Sequence, residues 1–191
     1  MKRVFLGGSR KVSRLNDRIR ARLEDIVRRE LQVLVGDASG ADKAMQRQLA
    51  DWGYRNVLVY FVGSRPRNNE GAWETRNVPT PPGARGFDFY SVKDRAMAES
   101  AECGLMLWDG ESRGTLANVR VLAEAGKPVA VYVAPARRFI NVLSMSDYAA
   151  LVPGQEAAAG NPSPEAVPGL QTAFDLTTTE HPARRTRRNA A

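Results

Sequence analysis

Histidine and cysteine are almost missing from this chain, and that scarcity narrows its chemistry first. The sole histidine, His181, lies close to the C-terminus, beyond the patterned part of the sequence. Serine–histidine–aspartate catalysis, cysteine–histidine catalysis and histidine-rich metal sites are therefore not expected. The sole cysteine, Cys103, falls inside an apolar run, which leaves neither a disulfide framework nor a thiolate metal cluster. No metal is expected on these grounds, and the sequence gives no sign of a cofactor. Long hydrophobic runs are also lacking: none approaches the roughly 18 apolar residues of a membrane span. The N-terminus, MKRVFLGG, enters a strand pattern at once, without the features of a signal peptide. A soluble, cytoplasmic protein with no membrane partner is the expectation.

What is present is enough for one full core. The chain has 191 residues, 43% of them hydrophobic, which suits one domain over residues 1–151. Residues 152–191 are rich in Pro, Gly, Ala and Thr without periodicity and read as a largely disordered tail. The net charge is +7. In the tail Arg184, Arg185, Arg187 and Arg188 balance Glu156, Glu165, Asp175 and Glu180, so the excess positive charge belongs to the folded part. Such a surplus fits a phosphate-bearing ligand or nucleic acid, or a basic surface that only aids solubility.

The most informative stretch is Ala101 to Val133. Cys103 to Trp108 is an apolar run of the length of a buried parallel strand. The polar loop Asp109-Gly110-Glu111-Ser112-Arg113-Gly114-Thr115 follows, and Thr115 is placed to cap a helix. The apolar positions of that helix, Leu116, Val119, Val121, Leu122 and Ala125, cluster on one face, and Gly126 stops it. Pro128 then opens a second apolar run. This is a β-α-β unit whose glycine loop, with Gly110, Gly114 and Thr115, presents free amides suited to an anion.

The N-terminal half repeats the pattern. Arg3 to Leu6 is a short strand followed by Gly7-Gly8-Ser9-Arg10, and helical spacing runs from about Leu15 to Glu30. The outer face of that helix carries Arg18, Arg20, Arg22, Arg28 and Arg29, either a solvated face or a nucleic-acid contact. Gln32 to Val35 is a second strand, and the turn after it holds Gly36, Asp37, Ser39, Gly40 and Asp42. Ser39 and Asp42 either satisfy the amides of the helix from Ala41 to about Trp52 or meet a ligand. After a third strand, Val57 to Val62, comes the irregular stretch Gly63 to Gly86 with Arg65, Arg67, Arg76, Arg85 and Trp73. Basic residues around an aromatic suit a lid that stacks on a base and neutralises phosphate, with disorder or a subunit contact as the alternative. Phe89 to Ser100 is a further helix carrying Tyr90, Lys93, Asp94 and Met97.

Apolar strands alternating with helices predict an α/β fold: a five-stranded parallel sheet between two helical layers. With strand order 3-2-1-4-5, the loops Gly7–Arg10 and Asp109–Thr115 face one crevice, at the point where the strand order reverses.

The strand ending in GGSR, the GDASGAD turn, the Lys93-Asp94-x-x-Met97 pattern and the GT-helix after a strand resemble the SLOG superfamily. That group joins the LOG phosphoribohydrolases, the DprA DNA-processing proteins and several nucleotide-binding relatives. The GDASGAD segment is most similar to the YspA-type and YpsA-type branches. The resemblance covers about residues 3 to 133 and implies a Rossmann-like three-layer fold, a nucleotide or nucleotide-derived ligand, and a homodimer. LOG enzymes remove the base from a nucleoside monophosphate with an Arg-Lys-x-x-Met motif and a PGG-x-GT-x-x-Glu motif. Here Lys93 stands at the arginine position of the first. In the second, Gly110, Gly114 and Thr115 match while Asn118 stands where the glutamate belongs. An amide neither acts as a general base nor stabilises an oxocarbenium ion as a carboxylate does.

Three functional expectations follow. The first is nucleotide binding, as a sensor or processing protein, through Gly7, Gly8, Ser9, Arg10, Gly36, Asp37, Gly40, Asp42, Gly110, Gly114, Thr115 and Asn118. The second is an N-glycoside hydrolase in which Asp94 or Asp109 replaces the missing glutamate, with Lys93 beside them. The third is a DprA-like binder of single-stranded nucleic acid.

Overall fold

The computed structural model describes residues 2–152; the tail expected from residue 152 onward lies, from 153, outside the described residues. In chain order the elements are β1 (Arg3–Gly8), α1 (Asp17–Arg28), β2 (Gln32–Gly36), α2 (Ala41–Asp51), β3 (Val57–Phe61), β4 (Glu74–Asn77), α3 (Gly86–Ser100), β5 (Cys103–Trp108), α4 (Arg113–Glu124), β6 (Val129–Val133), β7 (Arg138–Val142) and α5 (Met145–Leu151). They form a mixed α/β structure around one sheet in the order β4-β3-β2-β1-β5-β6-β7.

The central five strands are the five apolar runs, parallel and in the expected order. Every residue of β5 and of β6 is buried, which is why these strands read as continuous apolar runs rather than alternations. The sheet nevertheless has seven strands, not five. β4 adds in parallel to β3, from within the stretch taken as irregular, and β7 adds antiparallel to β6. Both are edge strands. β4, ETRN, is exposed at every residue, so it lacks the apolar signal by which a buried strand is recognised. Its charges suit an unpaired edge.

Helix boundaries follow local caps. α1 starts after Asn16, whose Oδ1 accepts from the Ile19 amide at 3.1 Å, and it buries Ile19, Leu23 and Ile26 against the sheet. α4 is capped by Ser112, not by Thr115: the Ser112 Oγ accepts from the Thr115 amide at 3.3 Å, and Thr115 lies buried in the first turn. α3 begins at Gly86, three residues earlier than the apolar spacing indicates. Among the described residues no helix is long and apolar enough to cross a membrane.

The end of β1 is held tightly. A Cβ on Gly8 would lie 2.5 Å from the Leu107 carbonyl oxygen of β5 and 2.8 Å from the Cβ of Ala41 in α2. Neither the Leu107 backbone nor the Ala41 Cβ, fixed to its own backbone, moves freely, so Gly8→Ala is expected to cost about 1–3 kcal/mol of stability. A thermal melt reads this as a midpoint lower by about 2–4 °C per kcal/mol. An unchanged midpoint would mean that β1 and β5 do not approach as described.

Candidate functional site

A cavity of about 390 Å³ opens at the carboxyl ends of β1, β2 and β5. This is the switch point of the sheet, since the chain leaves β1 toward β2 on one side and places β5 on the other. β1 and the turn after it contribute Gly7, Gly8 and Arg10 to the lining; α4 contributes Ser112, Gly114 and Thr115 from its first turn and Asn118 one turn on. The two glycine loops thus meet, although they lie about 100 residues apart in the chain. The first amides of α4, at Arg113 and Gly114, have no carbonyl of their own helix to reach.

The floor is a buried charge cluster. Lys93 is 3% exposed, and its Nζ lies 2.5 Å from Asp94 Oδ1. Asp94 Oδ2 accepts from the Asn118 Nδ2 at 3.4 Å, so the residue that stands where LOG enzymes carry a glutamate holds another carboxylate. Asp42, also buried, accepts from the Ala38 amide at 3.3 Å through Oδ2. Gly36 makes this cluster possible: a Cβ there would fall 2.6 Å from Asp42 Oδ2 and 2.7 Å from Lys93 Nζ. Burial pushes the Asp42 carboxyl up to about 7, against the pull of the Lys93 ammonium. Burial works to lower the Lys93 pKa, but the carboxylates of Asp94 and Asp42 outweigh it and hold the ammonium above its ordinary value.

A buried carboxylate brings an arginine of the long connection into the cavity. The Asp37 carboxylate, wholly inaccessible, accepts from Arg67 three times: from its backbone amide at 3.0 Å, Nε at 2.9 Å and Nη2 at 2.7 Å. Burial would raise the Asp37 pKa, yet the Arg67 hydrogen bonds hold it below the ordinary carboxylate range. Arg67 lines the cavity with its guanidinium 4.5 Å over the ring of Tyr90.

The connection itself is anchored, not a free lid. Trp73, expected to stack on a base, is buried away from the cavity and donates its indole N–H to the Tyr54 carbonyl at 2.8 Å. Asn69 brackets the same residue, accepting from its amide at 3.0 Å and donating to its carbonyl at 2.8 Å.

Of the expected catalytic residues, Lys93 and Asp94 line the cavity, and Asp109 does not. Asp109 accepts from Ser9 Oγ at 2.7 Å, from the Ser112 amide at 2.7 Å and from the Glu111 amide at 3.1 Å. Burial acts to raise its pKa, but these bonds hold it below the ordinary value. It ties the two glycine loops together from behind the cavity. Ser9 belongs to the same tie, buried and donating its amide to the Leu107 carbonyl at 2.8 Å.

Among the expected binding residues, Gly7, Gly8, Arg10, Asp42, Gly114, Thr115 and Asn118 reach the lining, while Ser9, Gly36, Asp37, Gly40 and Gly110 stand behind it. Gly40 has φ +79°, and a Cβ there would strike the backbone of Arg10, so the second turn buttresses the first. Gly110, at φ +90°, makes the turn after β5. Sequence reasoning missed Phe87 at the cavity. Its only signal is its spacing of three residues from Tyr90 at the start of α3.

No protein-family model matches the chain, and no curated protein matches it. Among solved structures it is similar to DNA processing protein A from Helicobacter pylori, described for its single-stranded DNA binding mode. The identity is 16% and the TM-score 0.51, over 68% of this chain and 64% of that one. The chain therefore spans less than two thirds of that protein's length. It also aligns with the molybdenum cofactor binding protein from the phototrophic bacterium Rippkaea orientalis, at 13% identity and a TM-score of 0.46, over 68% and 75% of the two chains. The likeness to DNA processing protein A, a kind of protein named in the SLOG resemblance, is one of fold.

Proposed function

We propose that the cavity binds a nucleotide or nucleotide-derived ligand by its phosphate and ribose, in the manner of a sensor or processing protein. The observation that supports this reading is the meeting of both glycine loops with Arg10, Arg67 and the start of α4 around one cavity. Gly114 leaves the backbone open to a phosphate, Gly7 and Gly8 let the end of β1 pack close beneath it, Arg10 neutralises it, and the α4 dipole favours its charge. Ser9 and Gly110 shape the loops, Thr115 lies beside the phosphate, and Asp42 and Asn118 set the polar floor.

A second reading, N-glycosidic bond hydrolysis, is favoured by one observation. Asp94 is a carboxylate in the cavity with 23% of its side chain exposed, oriented by both Lys93 and Asn118. In this reading it stabilises the developing oxocarbenium ion or activates water, and Lys93 fixes its orientation through Oδ1.

One experiment separates the two. The protein is incubated with nucleoside monophosphates, NAD and ADP-ribose, and mass spectrometry records retained ligand and released base. Retained nucleotide without free base is the expected result for a binding protein. Free base, lost in Asp94→Asn and kept in Asp109→Asn, makes the protein a hydrolase. Neither signal, together with salt-dependent binding of single-stranded oligonucleotides, would move the function to nucleic acid, the ligand described for the H. pylori protein.

A further inference from the structure

The floor of the cavity is charged and internally paired, whereas its mouth is aromatic and open. Phe87 is 57% exposed and Tyr90 42% exposed, the two exposed aromatic side chains that line the cavity. They stand three residues apart on α3, on the same face of the helix, and both line the cavity. A Cβ on Gly114 would lie 3.7 Å from Phe87 Cε2, so this ring reaches the start of α4. The Arg67 guanidinium, fixed from behind by Asp37, lies over the Tyr90 ring. Three flat groups, Phe87, Tyr90 and Arg67, therefore form a ledge that borders the polar floor of Lys93, Asp94 and Asn118.

We infer that this ledge is the stacking platform for a planar heteroaromatic base, so that the occupant is a base-bearing nucleotide and not a bare sugar phosphate. The inference rests on the proposed phosphate and ribose reading of the same cavity. The Phe87 ring, and the part of the Tyr90 ring that Arg67 and Phe89 leave uncovered, are shielded from water by a ligand with a flat apolar face, whereas a sugar hydroxyl or a second phosphate leaves them wet. The guanidinium extends the platform, because a planar cation stacks on an aromatic face. Stacking tolerates every base, since each has a π-face, and favours the larger purines through covered area.

Calorimetric titration of the full chain with AMP, GMP, CMP, UMP and ribose 5-phosphate tests this. At least one nucleotide is expected to bind about tenfold or more tightly than ribose 5-phosphate, the scale of a base–aromatic stack. That ratio is expected to fall at least about threefold in Phe87→Ala or in Tyr90→Leu, as a lost stack requires. Phe87 is too exposed for its truncation to unfold the chain, and Tyr90→Leu keeps apolar bulk while removing the ring. If ribose 5-phosphate binds and no nucleotide exceeds it about tenfold, or if both variants keep the ratio, the platform is wrong while the phosphate reading stands. If none of the five ligands binds, the phosphate reading fails and the platform fails with it.

Discussion

Replacing Lys93 by Met is expected to destabilise the protein by about 3–5 kcal/mol at pH 8, the scale of removing one partner from a buried ion cluster. Lys93 is 3% exposed and is the cation that Asp94 and the buried Asp42 share, Asp37 being paired with Arg67. Without it, Asp42 either carries an uncompensated buried charge or takes up a proton. The pH dependence has a definite sign. The folded-state pKa of Asp42 is raised to about 7 from an ordinary value of 3.8. Protonated Asp42 is favoured in the fold, so stability contributed by this group is full below pH 4 and is lost as pH rises toward 7. The Lys93 ammonium lowers that pKa; its removal drives it higher, and the variant loses more stability over the same rise. Urea midpoints of the variant are therefore expected to be markedly lower at pH 8 than at pH 5.5. Adding Asp42→Asn to Lys93→Met should recover stability and flatten the profile. Equal midpoints at the two pH values, or no loss at pH 8, would mean that the cluster is hydrated and not a buried unit.

Truncating Arg67 to Ala is expected to act on both the fold and the cavity. It leaves the inaccessible Asp37 carboxylate with the backbone amide of residue 67 but without Nε and Nη2. The side chain of Arg67 is 40% exposed, so solvent screening lowers the cost from that of a fully buried pair to about 2 kcal/mol. The Asp37 pKa is lowered in the fold, which gives the opposite sign to Asp42. Its contribution is present above the ordinary value of 3.8 and is lost as pH falls through the depressed folded value. Acid unfolding of Arg67→Ala should therefore be less steep below pH 4 than that of the parent. Nucleotide affinity should fall about tenfold or more as one charged hydrogen-bonding group leaves the cavity. Arg67→Lys should not restore it, because an ammonium cannot hold Asp37 through a two-nitrogen fork or lie flat on Tyr90. Full affinity in Arg67→Lys would show that only a point charge is needed.

The sequence by itself determined the central architecture and the place of the cavity. Five apolar runs punctuated by glycine turns specify five buried parallel strands, because burial on both faces leaves an uninterrupted apolar signal. Right-handed crossovers then bring the Gly7–Arg10 and Asp109–Thr115 loops to one switch point, and Gly7, Gly8, Arg10, Gly114 and Thr115 do line one cavity. Lys93 and Asp94 were legible through one motif of the SLOG resemblance and Asn118 through another, and all three line the cavity. The edges were not legible. β4, exposed throughout, has no apolar period to betray it, and it joins the sheet through backbone hydrogen bonds to β3 that any residue supplies. Nor could the partners of polar residues be found from spacing. Whether an aspartate meets a ligand, as expected for Asp37, or an arginine thirty residues away is decided by how the long connection folds back over β2. The same holds for Asp109, which ties two loops, and for Trp73, which plugs the connection. Periodicity reports which backbone is buried; only the tertiary structure decides which buried charge is already neutralised, and hence which groups remain free to meet a ligand.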